Sequence, residues 1–302
     1  MARTKGTVGV VGLGIMGGAF ARHLAAAGWR VVGHDIDPKA RRAAAKTGVE
    51  IAKDIADLAA KAPVIITSLP HPDALHATVA AIVAAKVKPR IVAEASTFTL
   101  EDKLSAEQTL RKAGHTMLDC PISGTGSQAK VKDVVVYTSG DPRAIRKLKP
   151  MFAAFSRGVH ELGAFGNASR MKYVANLLVA IHNVATAEAM VLGMKAGLDP
   201  KAIFETIKTG AGNSRVFELR GPMMVKDNYD DATMKVKVWE KDMTVIGDFA
   251  KAIGCPTPLF TATEAIYNKA LNSGYAMQDT AAVCAVMETM AGVKRRGKKK
   301  HR

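Results

Sequence analysis

Gly12-Leu13-Gly14-Ile15-Met16-Gly17 follows the apolar run Val8–Val11 and opens an Ala-rich helical stretch; no other feature restricts the fold of this chain as much. A GxGxxG between a strand and a helix is the turn of a βαβ unit. Gly12 permits the tight turn, Gly14 lets a phosphate come close to the backbone, and Gly17 lets the helix pack near the strand. The helix that begins at Ile15 and Met16 presents N–H groups and the positive end of its dipole, a setting for a pyrophosphate. Asp35 ends the next strand, 21 residues beyond Gly14. A carboxylate there accepts from a ribose diol and repels a 2′-phosphate, so the expected cofactor is NAD. Arg41 and Arg42, a turn into the following helix, read as solvated and leave NADP possible.

The rest of the first half repeats this alternation. Strand candidates are Thr7–Val11, Arg30–His34, Val64–Ser68, Arg90–Ala93, Thr116–Leu118, Val134–Thr138 and Gly158–Glu161, with helical stretches at Gly17–Ala27, Pro38–Thr47, Ile55–Ala60, Ala74–Ala84 and Leu100–Ala113. Strands apolar on both faces belong inside a helix-covered parallel sheet. From about Asn167 to Ala196 the sequence reads as one long helix, closed by Gly197 and followed by a new start at Asp199-Pro200. Helical segments then recur near Pro200–Thr209, Gly221–Val225, Val238–Ala252, Pro258–Ser273 and Thr280–Ala291, with no convincing strand. The fold class is therefore an α/β Rossmann-type N-terminal domain (1–165), a long interdomain helix leading into an all-α domain (166–293), and a basic disordered tail (294–302).

Composition excludes several classes. Hydrophobic residues at 48% and charged residues at 23% describe a globular chain rather than a disordered one. The sequence reading finds neither an apolar run of spanning length nor a signal peptide. Three scattered cysteines, Cys120, Cys255 and Cys284, give no disulfide framework and no metal spacing, so a reducing cytoplasm and no metal are expected. Of the formal charge of +16, seven positive charges fall in the last nine residues. That run reads as a solvated end, without a nucleic-acid motif, and neither nucleic acid nor a membrane is expected as a partner.

Three further segments carry chemistry. Asp119-Cys120-Pro121-Ile122-Ser123-Gly124-Thr125-Gly126 follows a strand with small residues whose N–H groups suit a carboxylate, though alone it reads equally well as a turn. Lys172 and Asn176, four apart, share one helix face. A helical lysine is ordinarily solvated, but beside an apolar site its pKa falls and it can act as a general acid and base. Lys241-Asp242 lies in an apolar helix, where a surface ion pair is the plain alternative.

Together these segments resemble the β-hydroxyacid dehydrogenase family, which includes 3-hydroxyisobutyrate dehydrogenase, tartronate semialdehyde reductase and glyoxylate/succinic-semialdehyde reductases. The resemblance runs from about Thr7 to Val286: GLGxMGxxxAxxL at Gly12–Leu24, Leu69-Pro70, Ser96-Thr97, a DxPVSGG-like loop at Asp119–Thr125, GxxGxxxxxKxxxN at Gly163–Asn176, and Lys241-Asp242. It implies hydride transfer between NAD(H) and a small hydroxy acid or semialdehyde, with Lys172 as general acid and base. It further implies that Ser123, Gly124, Thr125 and Asn176 bind the substrate. Gly12, Gly14, Ile15, Met16, Gly17, Asp35, Leu69, Pro70, Thr97 and Lys241 would serve the cofactor, in a homodimer or homotetramer. Three departures bear on the substrate: Thr125 replaces a glycine, Leu177 replaces a frequent asparagine, and Ser127–Lys132 lacks the usual glycines. Imine reductases share the architecture but generally lack the lysine. A non-catalytic NAD(P)-binding protein using its basic tail for partners is the other alternative, and Lys172 with Asn176 argues against both.

Overall fold

The computed structural model describes residues 4–295, so the expected tail lies outside the described residues beyond Arg295. The chain divides into two compact units, Met1–Lys172 and Tyr173–Arg302. The division falls inside the long helix rather than at the expected 165/166.

In the first unit, strands and helices alternate as β1 (Thr7–Val11), α1 (Ile15–Ala26), β2 (Arg30–His34), α2 (Pro38–Ala45), β3 (Glu50–Ile51), α3 (Ile55–Lys61), β4 (Val64–Thr67), α4 (Pro72–Ala84), β5 (Ile91–Glu94), α5 (Leu100–Lys112) and β6 (Thr116–Asp119). They form a six-stranded parallel sheet of order β3-β2-β1-β4-β5-β6. That order reverses direction between β1 and β4, and ligands of such sheets bind at the carboxyl ends beside this switch point. Both faces are covered. Phe20 and Leu24 of α1 pack on one side with Phe152 and Phe155; Leu58 of α3, Leu75, Val79 and Ile82 of α4 and Leu110 of α5 pack on the other.

The expected sheet is wholly parallel, whereas three strands form a second, mixed sheet. After β6 come β7 (Ile122–Ser123), α6 (Gly126–Lys130), β8 (Val135–Thr138), α7 (Pro142–Phe152) and β9 (Gly158–Glu161), with β7 antiparallel and β9 parallel to β8. Two-residue strands such as β3 and β7 are too short to show an alternation. α7 is started by Asp141, which accepts from the N–H of Arg143, and buries Ala144, Ile145, Leu148, Met151 and Phe152 on one stripe; Pro150 in its last turn breaks the pattern in the sequence.

α8 (Asn167–Lys195) begins in the first unit and continues into the second, which adds α9 (Pro200–Ile207), α10 (Arg215–Lys226), α11 (Val236–Ala252), α12 (Pro258–Ala270) and α13 (Val283–Ala291). α10 starts six residues before the expected Gly221, because Ser214 caps it by accepting from Phe217 N–H, and Pro222 does not stop it. Among the described residues α8 is long and apolar enough to cross a bilayer, contrary to the expectation of no apolar run of spanning length; its Ala180, Val184, Ala187, Met190 and Val191 are buried in the helical core. Trp239 and Tyr267 lie 6.2 Å apart between ring centres in that core. Asp279, fully buried, accepts from the N–H groups of Thr233, Met234 and Ala281 and fixes the loop that leads into α11.

Arg295, which the charge run had grouped with the tail, is held by Glu288 and donates to the carbonyls of Met224 and Val225 at the end of α10. A chain ending at Arg295 should keep its activity and its Tm. One ending at Val293 should lose about 3–8 °C of Tm, because Glu288 and two carbonyls lose their partner; thermal unfolding of the two truncations checks this.

Candidate active site

The carboxyl ends of the strands carry the residues expected to meet the cofactor. Gly12 has φ +89° and its Cβ position lies 2.1 Å from the Ser68 carbonyl, so a side chain there would push β1 from β4. A Cβ on Gly17 would lie 1.9 Å from the Gly12 carbonyl, which is why α1 approaches the turn so closely. Gly14, in contrast, has nothing within 4 Å of its Cβ position. No side chain caps α1 at Gly14, and Ile15 is two-thirds exposed. The start of the helix is therefore uncapped on the Gly14 side, where its first N–H groups fit a dinucleotide's pyrophosphate.

Asp35 sits half-buried after β2. Its Oδ2 accepts from Leu13 N–H at 2.6 Å and its Oδ1 from Asp37 N–H at 2.8 Å. The acid thus braces the glycine turn, and its remaining lone pairs are available to a ribose. Arg41 is not merely solvated: its guanidinium donates to the Asp35 carbonyl at 2.7 Å and adds a positive charge beside the acid. Replacing Asp35 by alanine should weaken NAD binding about tenfold and narrow its advantage over NADP, through loss of charge-assisted hydrogen bonds. Titration of both cofactors checks this, and an unmutated protein that already prefers NADP would contradict it.

Leu69-Pro70 follows β4, and Leu69 N–H donates to Ser96 Oγ at 2.8 Å, tying that loop to the Ser96-Thr97 loop after β5. Ser123 ends β7. Gly124 has φ +139° and a Cβ there would come 2.8 Å from Val134 Cγ1. Thr125 starts α6 as its cap residue, and its N–H donates to Gln128 Oε1 at 3.0 Å. A Cβ on Gly126 would lie 2.4 Å from Ile15 Cγ2, so the loop expected to hold the acid rests on the first residue of α1. His23 Nε2 on the Ala129 carbonyl and Arg22 on that of Lys130 extend this contact along α1. These two helix residues were missed, since nothing in the sequence sets them apart from solvent-facing ones. Cys120 is packed as expected; burial pushes its thiol pKa well up and Asp119 beside it adds to that, so it is inert.

Lys172 is buried on α8, whose first turn is fixed to the sheet: Ser169 N–H and Oγ donate to Asp119 at 2.7 and 2.8 Å, and Ala168 N–H donates to Ser139 Oγ at 3.0 Å. In the second unit, buried Asn176 donates to Asp242 Oδ2 at 3.0 Å, and Lys241 Nζ lies 3.0 Å from Asp242 Oδ1. Asp242 thereby joins the two residues predicted there. Leu177, in place of the frequent asparagine, packs against the helical core.

Residues 7–164 match the model of the NAD binding domain of 6-phosphogluconate dehydrogenase, and residues 166–287 that of the NAD-binding domain of NADP-dependent 3-hydroxyisobutyrate dehydrogenase. The chain is 31% identical to an L-threonate dehydrogenase of Cupriavidus necator over 92% of its length and 95% of that protein. It is 28% identical to the NAD-dependent L-serine dehydrogenase of Pseudomonas aeruginosa, over 94% and 99%. Among solved structures, Mycobacterium tuberculosis 3-hydroxyisobutyrate dehydrogenase with L-serine superposes with a TM-score of 0.84 at 26% identity, covering 93% of this chain and 98% of the other. The chain belongs to the β-hydroxyacid dehydrogenase family. It is an NAD(P)-dependent hydroxyacid dehydrogenase.

Proposed function

We propose that this dehydrogenase interconverts a short β-hydroxy acid and its semialdehyde or keto partner, with Lys172 as the general acid and base. The observation that carries the reading is the buried Lys172 on a helix turn clamped by Asp119, in the same unit as the glycine turn and the Ser123–Thr125 loop. The nicotinamide supplies hydride chemistry at its C4 when bound. In oxidation the neutral amine of Lys172 takes the proton of the reacting hydroxyl; in reduction its ammonium gives that proton to the carbonyl oxygen. The charged form also stabilises the developing alkoxide.

Ser123 and the N–H groups around Gly124 orient the substrate carboxylate, and Asn176, one turn beyond Lys172 on α8, steadies the substrate. Lys241 is assigned to the cofactor, held by Asp242. Thr125 adds a hydroxyl and bulk where the family usually has glycine, which supports a small hydroxylated acid over a methyl-branched one. Relatives named for L-threonate, L-serine and 2-hydroxy-3-oxopropionate point the same way. Following nicotinamide absorbance with L-threonate, L-serine, tartronate semialdehyde and 3-hydroxyisobutyrate should give the highest kcat/KM for one of the first three. No turnover on any short hydroxy acid or semialdehyde would refute the reading. Free Cys120, Cys255 and Cys284 support a reducing, cytoplasmic setting. A homodimer or homotetramer is proposed by family likeness, and light scattering tests it.

A further inference from the structure

The end of β6 carries a buried charge cluster that the reaction as described does not use. Glu94 and Asp119 end adjacent parallel strands and are direct partners in the β5–β6 register. Both side chains are fully buried, and two carboxylates placed side by side away from water repel each other. Lys103, from the first turn of α5, fills the gap between them: its Nζ lies 2.7 Å from Glu94 Oε2 and 2.8 Å from Asp119 Oδ1. Burial opposes the ammonium, but Asp119 and Glu94 outweigh it and keep Lys103 protonated.

The triad is one carboxylate in excess, and that excess is met on α8. Asp119 Oδ2 accepts from Ser169 N–H at 2.7 Å and from Ser139 Oγ at 3.2 Å, while Oδ1 accepts from Ser169 Oγ at 2.8 Å. Asp119 is thus a helix cap supplied from a strand end, set at the positive end of the α8 dipole. Glu94 Oε1 accepts from Ser96 N–H at 2.8 Å, and Ser96 Oγ accepts from Leu69 N–H. An unbroken chain of polar contacts therefore runs from the two loops expected to serve the cofactor, through Lys103, to Ser169. Ser169 and Lys172 are three apart on α8, on one face and about 4.5 Å along its axis.

We propose that Lys103 is a positioning residue for the reaction: by joining Glu94 to Asp119 it fixes the first turn of α8, and with it the place of Lys172, relative to the cofactor loops. The inference rests on the reading of Lys172 as acid and base. Without Lys103, two buried carboxylates remain without their shared cation, one of them protonates or turns away, and the Ser169 clamp loosens. Misplacement of an acid by an ångström slows the proton-coupled step while leaving ground-state binding nearly untouched.

Lys103→Met, Ser169→Ala and their combination test this with the best acid of the substrate panel, alongside Lys172→Ala. Each single change should lower kcat about 10- to 100-fold, with KM and NADH affinity held within about threefold. The primary deuterium isotope effect on kcat should rise as chemistry becomes limiting. The double variant should be no slower than the slower single one, because both act through Asp119. A folded Lys103→Met enzyme with kcat within twofold, losses confined to KM or NADH affinity, or effects that multiply would each overturn the proposal. If Lys103→Met does not fold, Ser169→Ala, which removes one hydroxyl and no charge, decides it alone on the same kcat criterion. Undiminished turnover in Lys172→Ala would bring down the reading beneath it; an inactive Lys172→Ala beside an unimpaired Lys103→Met would bring down this inference only.

Discussion

Lys172→Ala should retain NADH binding and lose kcat by about 10²- to 10⁴-fold, the range that a positioned general acid and base contributes. The effect belongs in kcat because the amine acts on an oxygen whose charge changes only as hydride moves. KM for the acid should shift little, since the carboxylate is assigned to Ser123 and Gly124 rather than to the lysine. NADH fluorescence titration together with steady-state kinetics separates these terms, and a folded variant at parental turnover would sink the mechanism. Thermal unfolding should shift little, because the substitution leaves the Asp119–Ser169 clamp of the first α8 turn in place.

Gly12→Ala should show the opposite pattern: damage to cofactor binding and to the fold rather than to the chemical step. A side chain at φ +89° costs about 1–2 kcal/mol by itself. Here it also meets the Ser68 carbonyl at 2.1 Å, a backbone atom that cannot turn aside. Relief requires β1 and β4 to separate at the switch point, so a total loss of about 3–5 kcal/mol of stability is expected. NAD affinity should fall by more than about tenfold, since the N–H groups of α1 move with the turn. Gly14→Ala supplies the contrast. Its Cβ meets no protein atom, so the fold should stand and only cofactor binding should suffer. Comparable unfolding curves for the two variants would contradict the steric account.

The comparison of sequence with structure turns on what a local pattern can encode. β1, β2 and β9 lie where the apolar runs put them, and the glycine turn joins β1 to α1 as the spacing requires, because each is specified by neighbours in the chain. The second sheet was not legible: β7 has two residues, and its pairing with β8 depends on a partner more than ten positions away. α10 is expected at Gly221–Val225, with Pro222 near its start where proline is best tolerated, whereas the helix begins at Arg215 and carries Pro222 inside. The roles of Ser123, Lys172 and Lys241 came through the family motif; no physical pattern singles out one lysine among many. Lys103 shows the same limit from the other side. It stands at i with Ala106 and Leu110 at i+3 and i+7, on the buried stripe of α5, and that displaced charge was a signal the reading passed over. Its meaning needed Glu94 and Asp119, which only the sheet register brings side by side.

The loop proposed to hold the acid is walled on both sides, at Gly124 by Val134 and at Gly126 by Ile15. Bulk at Gly126 would press on Ile15, the first residue of the helix end proposed to receive the pyrophosphate. Thr125 stands between the two walls, and Thr125→Gly, Thr125→Ser or Thr125→Val is expected to change which acid the proposed loop accepts.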